Sequence, residues 1–377
     1  MDDDSDSEIE RTIVIDNGSG YIKYGLDGEN EPKVFPNITG LPKYGSYLFT
    51  SKEEIFIGDD AYEKKSVLNL SHTIKRGFVK DWNLMEKIWD YIFKKKLGKE
   101  PIYPNNYNIL ITQPLKNLKE NKKKIAEIMF ETFNFKGLYL AYPTVLSLYA
   151  SGKFTGMSLD LGYGTSQFSP MFDGYIIQDN VERVNIGGKD ITKYLGKLLN
   201  KNLKEKIPKY MVNNIKEKSC YIALDYEYEL KSVEPFDYEL PDGTHIIIDE
   251  KRIKCPESFI FNPKLKWLEE KGIQEICNDL IQKCDSSLRK DLYNCIVLSG
   301  GNSMFKGLPE RLTKEIKILA PKSMEEEVKV IASPERKNWA CLGGIILSTI
   351  STFNDDVIVT RDNYEENGFS IIEKKFI

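Results

Sequence analysis

The sequence predicts an α/β protein made of two duplicated lobes, and three observations carry that expectation. β-branched apolar runs alternate with stretches of helical period, and the 377 residues exceed what one hydrophobic core comfortably serves. The word Asp-x-Gly-x-Gly also occurs twice, each time behind a β-type run. Strand-like runs fall at 12–16 (TIVID), 107–112 (YNILIT), 156–162 (GMSLDLG), 175–179 (YIIQD) and 294–301 (NCIVLSGG). Helical periodicity is clearest over 82–97, 121–133, 143–151, 191–199, 212–224 and 273–285, with a further helix from Pro309. The apolar stretch 339–353 reads as a buried helix, being shorter than the roughly twenty residues that span a bilayer. Residues 37–59 and 226–263 are more irregular and read as subdomains inserted into the α/β body.

Composition removes several functions. Lys+Arg number 53 against 57 Asp+Glu, giving a net charge of -4 with no dominant basic block to displace counterions from a nucleic acid, and the runs Lys94–Lys96 and Lys122–Lys124 read as solvated helix faces. The acidic start, MDDDSDSEIE, lacks the positive charge of an export signal, and a membrane-surface role is disfavoured for the same reason. Six cysteines show no CxxC pair or metal spacing and are expected to be reduced thiols. With only His72 and His245, zinc sites and Ser-His-Asp triads have almost no material, and neither histidine is assigned a role.

The repeated word is where chemistry enters. In IVIDNGSGYIK (13–23) and MSLDLGYGTSQ (157–167), glycines let the backbone fold tightly and present N–H groups to an anion. The Asp that ends each strand, Asp16 or Asp160, is suited to holding hydrated Mg²⁺ through its waters. Ser19 can add a hydroxyl and Lys23 a compact positive charge for a phosphate chain. Either hairpin alone is also compatible with an ordinary acidic turn. A third strand end, CIVLSGG at 295–301, brings Gly300 and Gly301 and shifts the balance toward a nucleotide, since open α/β sheets place ligands beyond the carboxyl ends of strands.

The order and wording of longer blocks add a resemblance. DNGSG (16–20), MEKIWDYIF (85–93), IMFETFN (128–134), VLSLYASG (145–152), IKEKSCYIALD (215–225), KCDSSLRKDLY (283–293), VLSGGNSMF (297–305), SPERK (333–337) and LSTISTF (347–353) are collinear with actin and the actin-related proteins. The chain therefore resembles the actin family along nearly its whole length. The resemblance implies two RNase-H-like lobes around a cleft for ATP or ADP with Mg²⁺ or Ca²⁺. It also implies four subdomains: 1–37, 75–150 and 341–377; 38–74; 151–186 and 273–340; and 187–272. The first phosphate loop falls on Asp16, Gly18, Ser19, Gly20 and Lys23, the second on Asp160, Gly162, Gly164 and Thr165. Nucleoside contacts fall on Gly188, Lys216, Glu217, Gly300, Gly301, Met304, Phe305 and Lys337, with Phe305 where Tyr is usual and Asn213 where Arg is usual.

Departures concern hydrolysis and assembly. Pro143 stands where the family carries the Gln that positions the attacking water, and Pro has no polar side chain to offer. Tyr163 replaces a carboxylate and Gln167 replaces a His, although an amide still donates and accepts. Tyr149, Leu347, Ile350 and Thr352 keep the family's assembly cleft, while the loop 44–54 and the charged segment 262–272 depart from the pattern. The expected function is an actin-like cytoskeletal subunit that binds ATP, hydrolyses slowly or not at all, and meets actin, other actin-like subunits or actin-binding proteins in the cytoplasm. An active ATP-hydrolysing filament former, with Gln167 placing the water, is a second reading. A nuclear subunit of chromatin machinery is a third, and a sugar-kinase-like phosphotransferase finds no motif for its base or acceptor pocket.

Overall fold

The computed structural model describes residues 11–43, 54–203, 205–266, 269–350, 353 and 357–376. Contacts divide the chain into two units, Met1–Leu146 with Ala340–Ile377, and Ser147–Trp339. The acidic start, most of the loop 44–54, the pair Trp267 and Leu268, and Thr352 lie outside the described residues.

In the first unit the central strand is Thr12–Asn17, whose apolar residues are fully buried, as a strand covered on both faces must be. It pairs antiparallel with Tyr21–Leu26, and that strand pairs antiparallel with Lys33–Pro36. On its other side it runs parallel to Asn108–Thr112, which runs parallel to Gly137–Ala141, and antiparallel Val359–Thr360 completes the sheet. Helix Trp82–Tyr91 starts where Asp81 accepts the Leu84 N–H at 3.0 Å, and it buries Met85, Ile88 and Trp89. Each such fully buried side chain contributes roughly 1.5–3 kcal/mol of apolar transfer.

The second unit repeats the plan. Gly156–Leu161 pairs antiparallel with Ser166–Phe172, which pairs antiparallel with Tyr175–Ile176. On the other side it runs parallel to Ile296–Ser299, and that strand runs parallel to Val330–Ile331. The antiparallel three-strand meander followed by two parallel strands is thus the same in both units, which is the duplication the paired glycine words predict. Helices Gly188–Leu199, Lys209–Ser219, Ile273–Lys283 and Leu308–Leu319 bury their apolar faces in this unit's core.

Several expected elements change in detail. The run 175–179 is a strand only over Tyr175–Ile176, because a 3-10 turn, Gln178–Asn180, follows at once. The helix expected to reach residue 224 stops at Ser219, whose carbonyl is taken by Arg252 Nε at 2.8 Å while Cys220 turns extended. The helices over 82–97 and 121–133 end in wider π turns, Ile92–Lys96 and Ile128–Thr132. The irregular stretches contain order of their own: Thr39–Pro42 lies between Phe56–Ile57 and Leu68–Ser71, and Phe236–Glu239 pairs with His245–Ile248. Both histidines have partners after all, His245 facing Asp237 across that hairpin at 2.9 Å and His72 meeting the Asn37 carbonyl at 3.0 Å. All six cysteines are free and buried. Among the described residues no helix is long and apolar enough to cross a membrane.

Candidate functional site

The first hairpin turns at Gly18-Ser19-Gly20, between strands in which Asp16 lies opposite Lys23. That register sets the electrostatics. Lys23 Nζ donates to Asp16 Oδ2 at 2.8 Å, and Thr112, at the end of the parallel neighbour strand, donates its hydroxyl to Asp16 Oδ1 at 2.9 Å. Asp16 is only 5% exposed, and both donors satisfy its buried oxygens. Thr112 Oγ1 also accepts the Asn17 N–H at 2.9 Å, and Asn17 Oδ1 accepts the Trp89 indole N–H at 3.2 Å. Asn37 Nδ2 holds the Gly18 carbonyl at 2.8 Å, while Ser19 Oγ accepts the Gly77 N–H at 3.1 Å. A Cβ on Gly18 would lie 2.3 Å from the Tyr21 carbonyl oxygen, so this turn closes only around glycine.

The second hairpin has the same register, with Asp160 opposite Gln167 and beside Ser299 of the parallel neighbour. Its bonds are longer. Gln167 Nε2 donates to Asp160 Oδ2 at 3.4 Å, and Ser299 Oγ reaches Asp160 Oδ1 at 3.3 Å. The turn closes through Gly162 N–H to the Thr165 carbonyl at 2.9 Å, and Asn302 Nδ2 holds the Gly162 carbonyl at 2.7 Å. Gly300 has φ +82°, and a Cβ there would meet the Leu161 carbonyl oxygen at 2.6 Å and Asp160 Oδ1 at 2.7 Å. Gly300 therefore sits against the Asp160 turn, followed by the 3-10 turn Gly301–Met304, with Gly301 and Met304 exposed and Phe305 buried. Arg336 NH2 anchors this turn through the Ser303 carbonyl at 2.8 Å, beside exposed Lys337.

Gly188 opens its helix behind Gly187, whose N–H is held by Asp190 Oδ2 at 3.0 Å. Lys189 N–H binds the Tyr163 carbonyl at 2.9 Å, tying this helix start to the second hairpin. Burial, with Asp190 and Glu217 nearby, pushes the Tyr163 phenol up to about 12. Asn213 is a hub: its Oδ1 accepts from Lys216 Nζ at 3.0 Å and from Thr192 Oγ1 at 3.1 Å, and its Nδ2 donates to Glu217 Oε1 at 2.7 Å. Lys216 is buried, and desolvation lowers its ammonium pKa. An arginine at 213 would offer no acceptor to Lys216.

Pro143 starts helix Pro143–Ala150 at a position where its missing N–H costs nothing, and the Val145 and Leu146 N–H groups already bond the Tyr142 carbonyl. Gln167 is buried. Of the expected assembly residues, Tyr149 donates its hydroxyl to the Gly174 carbonyl at 2.8 Å and packs on Phe154, Leu347 is half-buried and Ile350 is exposed. Sequence reasoning missed Thr112, Asn37, Trp89, Asn302 and Asp190 as supports of these turns. Only Asp190 left a local sign, the Gly-Gly-x-Asp of a helix start. Among the described residues no cluster of three or more His, Cys, Asp or Glu could hold a metal directly.

Each unit thus carries one hairpin of identical register, ending in a carboxylate and closed by glycine. The model of one known family, described as actin, matches residues 7–377. The topology of each unit agrees with it, and the chain belongs to the actin family and has the actin fold.

Proposed function

We propose that this protein binds ATP or ADP with a divalent cation, Mg²⁺ or Ca²⁺, and serves as a structural subunit of an actin-like filament or actin-related assembly, with hydrolysis slow or lost. Members of the family generally bind nucleotide with such a cation. The observation that carries the reading is the pair of glycine-closed turns behind Asp16 and Asp160, with identical strand register in both units. The residues present fit the ligand. Each turn is a glycine-closed hairpin, a kind of backbone suited to phosphate oxygens, and each supplies one carboxylate, suited to a cation that keeps its water. Lys23 serves Asp16 and would also lend positive charge to phosphate. Gly301 and Met304, exposed in the 3-10 turn, and Lys337 would border a base, while Asn213 holds Lys216 and Glu217 in place. A bound divalent cation would screen the charge of the phosphates.

Slow hydrolysis rests on Pro143. No side chain there can orient a water, and the phenol at Tyr163 is held neutral where the family has a carboxylate. The four-subdomain division expected from the resemblance is the frame of this reading, with actin or other actin-like subunits and actin-binding proteins as partners and the cytoplasmic cytoskeleton as its setting. Thermal unfolding with and without Mg-ATP tests the binding. Ligand at a hundredfold over Kd is expected to add about 2.7 kcal/mol, and no shift at millimolar nucleotide would sink the proposal. Phosphate release tests the chemistry: the parent is expected to be slow, and Pro143→Gln to gain roughly 10²-fold or more, the scale of one positioned polar group.

A second reading, an active ATPase, draws support from the buried Gln167 amide beside Asp160. Phosphate release from the parent at the rate of the Pro143→Gln variant would establish it.

A further inference from the structure

In the second unit a cavity of about 240 Å³ is lined by residues from three consecutive stretches of chain and one distant helix. Glu257 comes from helix Lys251–Ile260, Phe261 and Pro263 from the turn after it, Gln274 from the start of helix Ile273–Lys283, and Arg311 and Glu315 from helix Leu308–Leu319. None of these residues belongs to the nucleotide reading.

The hydrogen bonds in the cavity are unevenly shared. Arg311 Nε is tightly paired with Glu315 Oε1 at 2.6 Å, and its NH1 donates to the Ala223 carbonyl at 2.8 Å. Glu257 receives only what is left, one bond of 3.3 Å to Oε1 and one of 3.5 Å to Oε2. A buried carboxylate can accept about four good bonds, and Glu257 is 3% exposed. Gln274 commits its Nε2 to the Phe261 carbonyl at 2.9 Å, and its Oε1 is buried with no partner. The wall therefore has acceptors to spare while the Arg311 donors are largely engaged. Of the lining cations Arg311 is committed and Lys264 is exposed, so a cationic donor that enters would find Glu257. Phe261 and Pro263, both buried, add an apolar side.

We propose that this cavity binds a primary ammonium group carried on an aliphatic stem, with the charge on Glu257 and the stem along Phe261 and Pro263. Such a group occurs on free alkyl diamines and on the lysine side chain of another polypeptide. Protons compete for the same carboxylate. Burial raises the Glu257 carboxyl most, Arg311 pulls it back down, and Glu315 and Glu227 raise it, which together place it at about 7, with Glu275 and Lys264 also at the cavity. An ammonium favours the ionised form, so binding strengthens as pH rises through 7, while the amine itself stays charged well above that.

Calorimetric titration with 1,5-diaminopentane and with N-acetyl-lysine methylamide tests the site, using 1-pentanol as the uncharged control. Saturable binding of at least one amine is expected at pH 8, about thirtyfold weaker at pH 5.5 and lost in Glu257→Gln, with no binding of pentanol. A stronger diamine assigns the site to free amines, and a stronger lysine derivative assigns it to a protein side chain. No saturable amine binding at pH 8 would overturn the proposal. So would equal binding by pentanol, an unchanged affinity in Glu257→Gln, or an affinity for the unaltered chain that does not vary with pH. The pH series needs no variant, so the proposal stays decidable if Glu257→Gln fails to fold.

Discussion

The two hairpins share a backbone and differ in how they treat the same carboxylate. Asp16 and Asp160 each end a buried central strand, each faces a residue seven positions on across the turn, and each lies beside a hydroxyl on the parallel neighbour. In the first unit those partners are Lys23 at 2.8 Å and Thr112 at 2.9 Å. In the second they are Gln167 at 3.4 Å and Ser299 at 3.3 Å. The first carboxylate meets an ammonium and a hydroxyl at close range, whereas the amide and hydroxyl that face the second stand farther off. Duplication fixed where the groups stand, and side-chain divergence set which groups face each carboxylate. An ammonium at close range favours a buried, rigid turn in the first unit.

Removing the cation should separate the two most sharply. Lys23→Met leaves Asp16 buried beside a hydrophobic stem, and breaking a buried pair in this way typically costs about 3–5 kcal/mol. Urea unfolding should show that loss through a lower midpoint at unchanged slope. Little change in midpoint would mean that Asp16 finds solvent as readily as Asp160, and the contrast between the turns would vanish.

The neighbouring hydroxyls give the next largest effect. Thr112→Val keeps the shape but strips Asp16 of one donor and the Asn17 N–H of its acceptor, so about 2 kcal/mol should be lost. Ser299→Ala removes only two bonds longer than 3.2 Å and should cost well under half as much. Equal losses would show that distance in these bonds carries no energetic meaning, which would remove the basis of the comparison.

How much of this was readable beforehand follows from the range of each interaction. The Asp-x-Gly-x-Gly words exposed the duplication because a tight turn needs its glycines locally, and Gly300 was visible for the same reason. Thr112 was not, since it lies 96 residues from the carboxylate it serves and only the parallel pairing of two strands brings it there. Asn37 and Trp89 were hidden likewise by distance along the chain. The Lys23 to Asp16 bond could have been read from the hairpin, because strands of known register put position 23 opposite 16, but the reading reserved that ammonium for phosphate. Helix ends went astray at Ser219 for a tertiary reason: Arg252, far along the chain, captures the last carbonyl. His245 was passed over because its partner Asp237 lies across a hairpin that no periodicity announced.

The smallest effect is also the most discriminating. Gln167→Leu removes one long neutral hydrogen bond from a carboxylate that Ser299 also contacts, so the cost should be at most about 1 kcal/mol without ligand. Gln167→Lys, in contrast, copies the first hairpin into the second by placing an ammonium opposite Asp160. If the turns differ only in charge, this variant should gain stability without nucleotide, because the pair replaces a weak amide contact in the same register. It should also need less divalent cation to be stabilised by ATP, since the new charge offsets part of what the cation screens. Thermal unfolding across a magnesium series at fixed ATP reads both effects. A Gln167→Lys variant less stable than the parent, with an unchanged magnesium requirement, would show that the second turn cannot house a cation and that the two units have diverged in shape as well as charge.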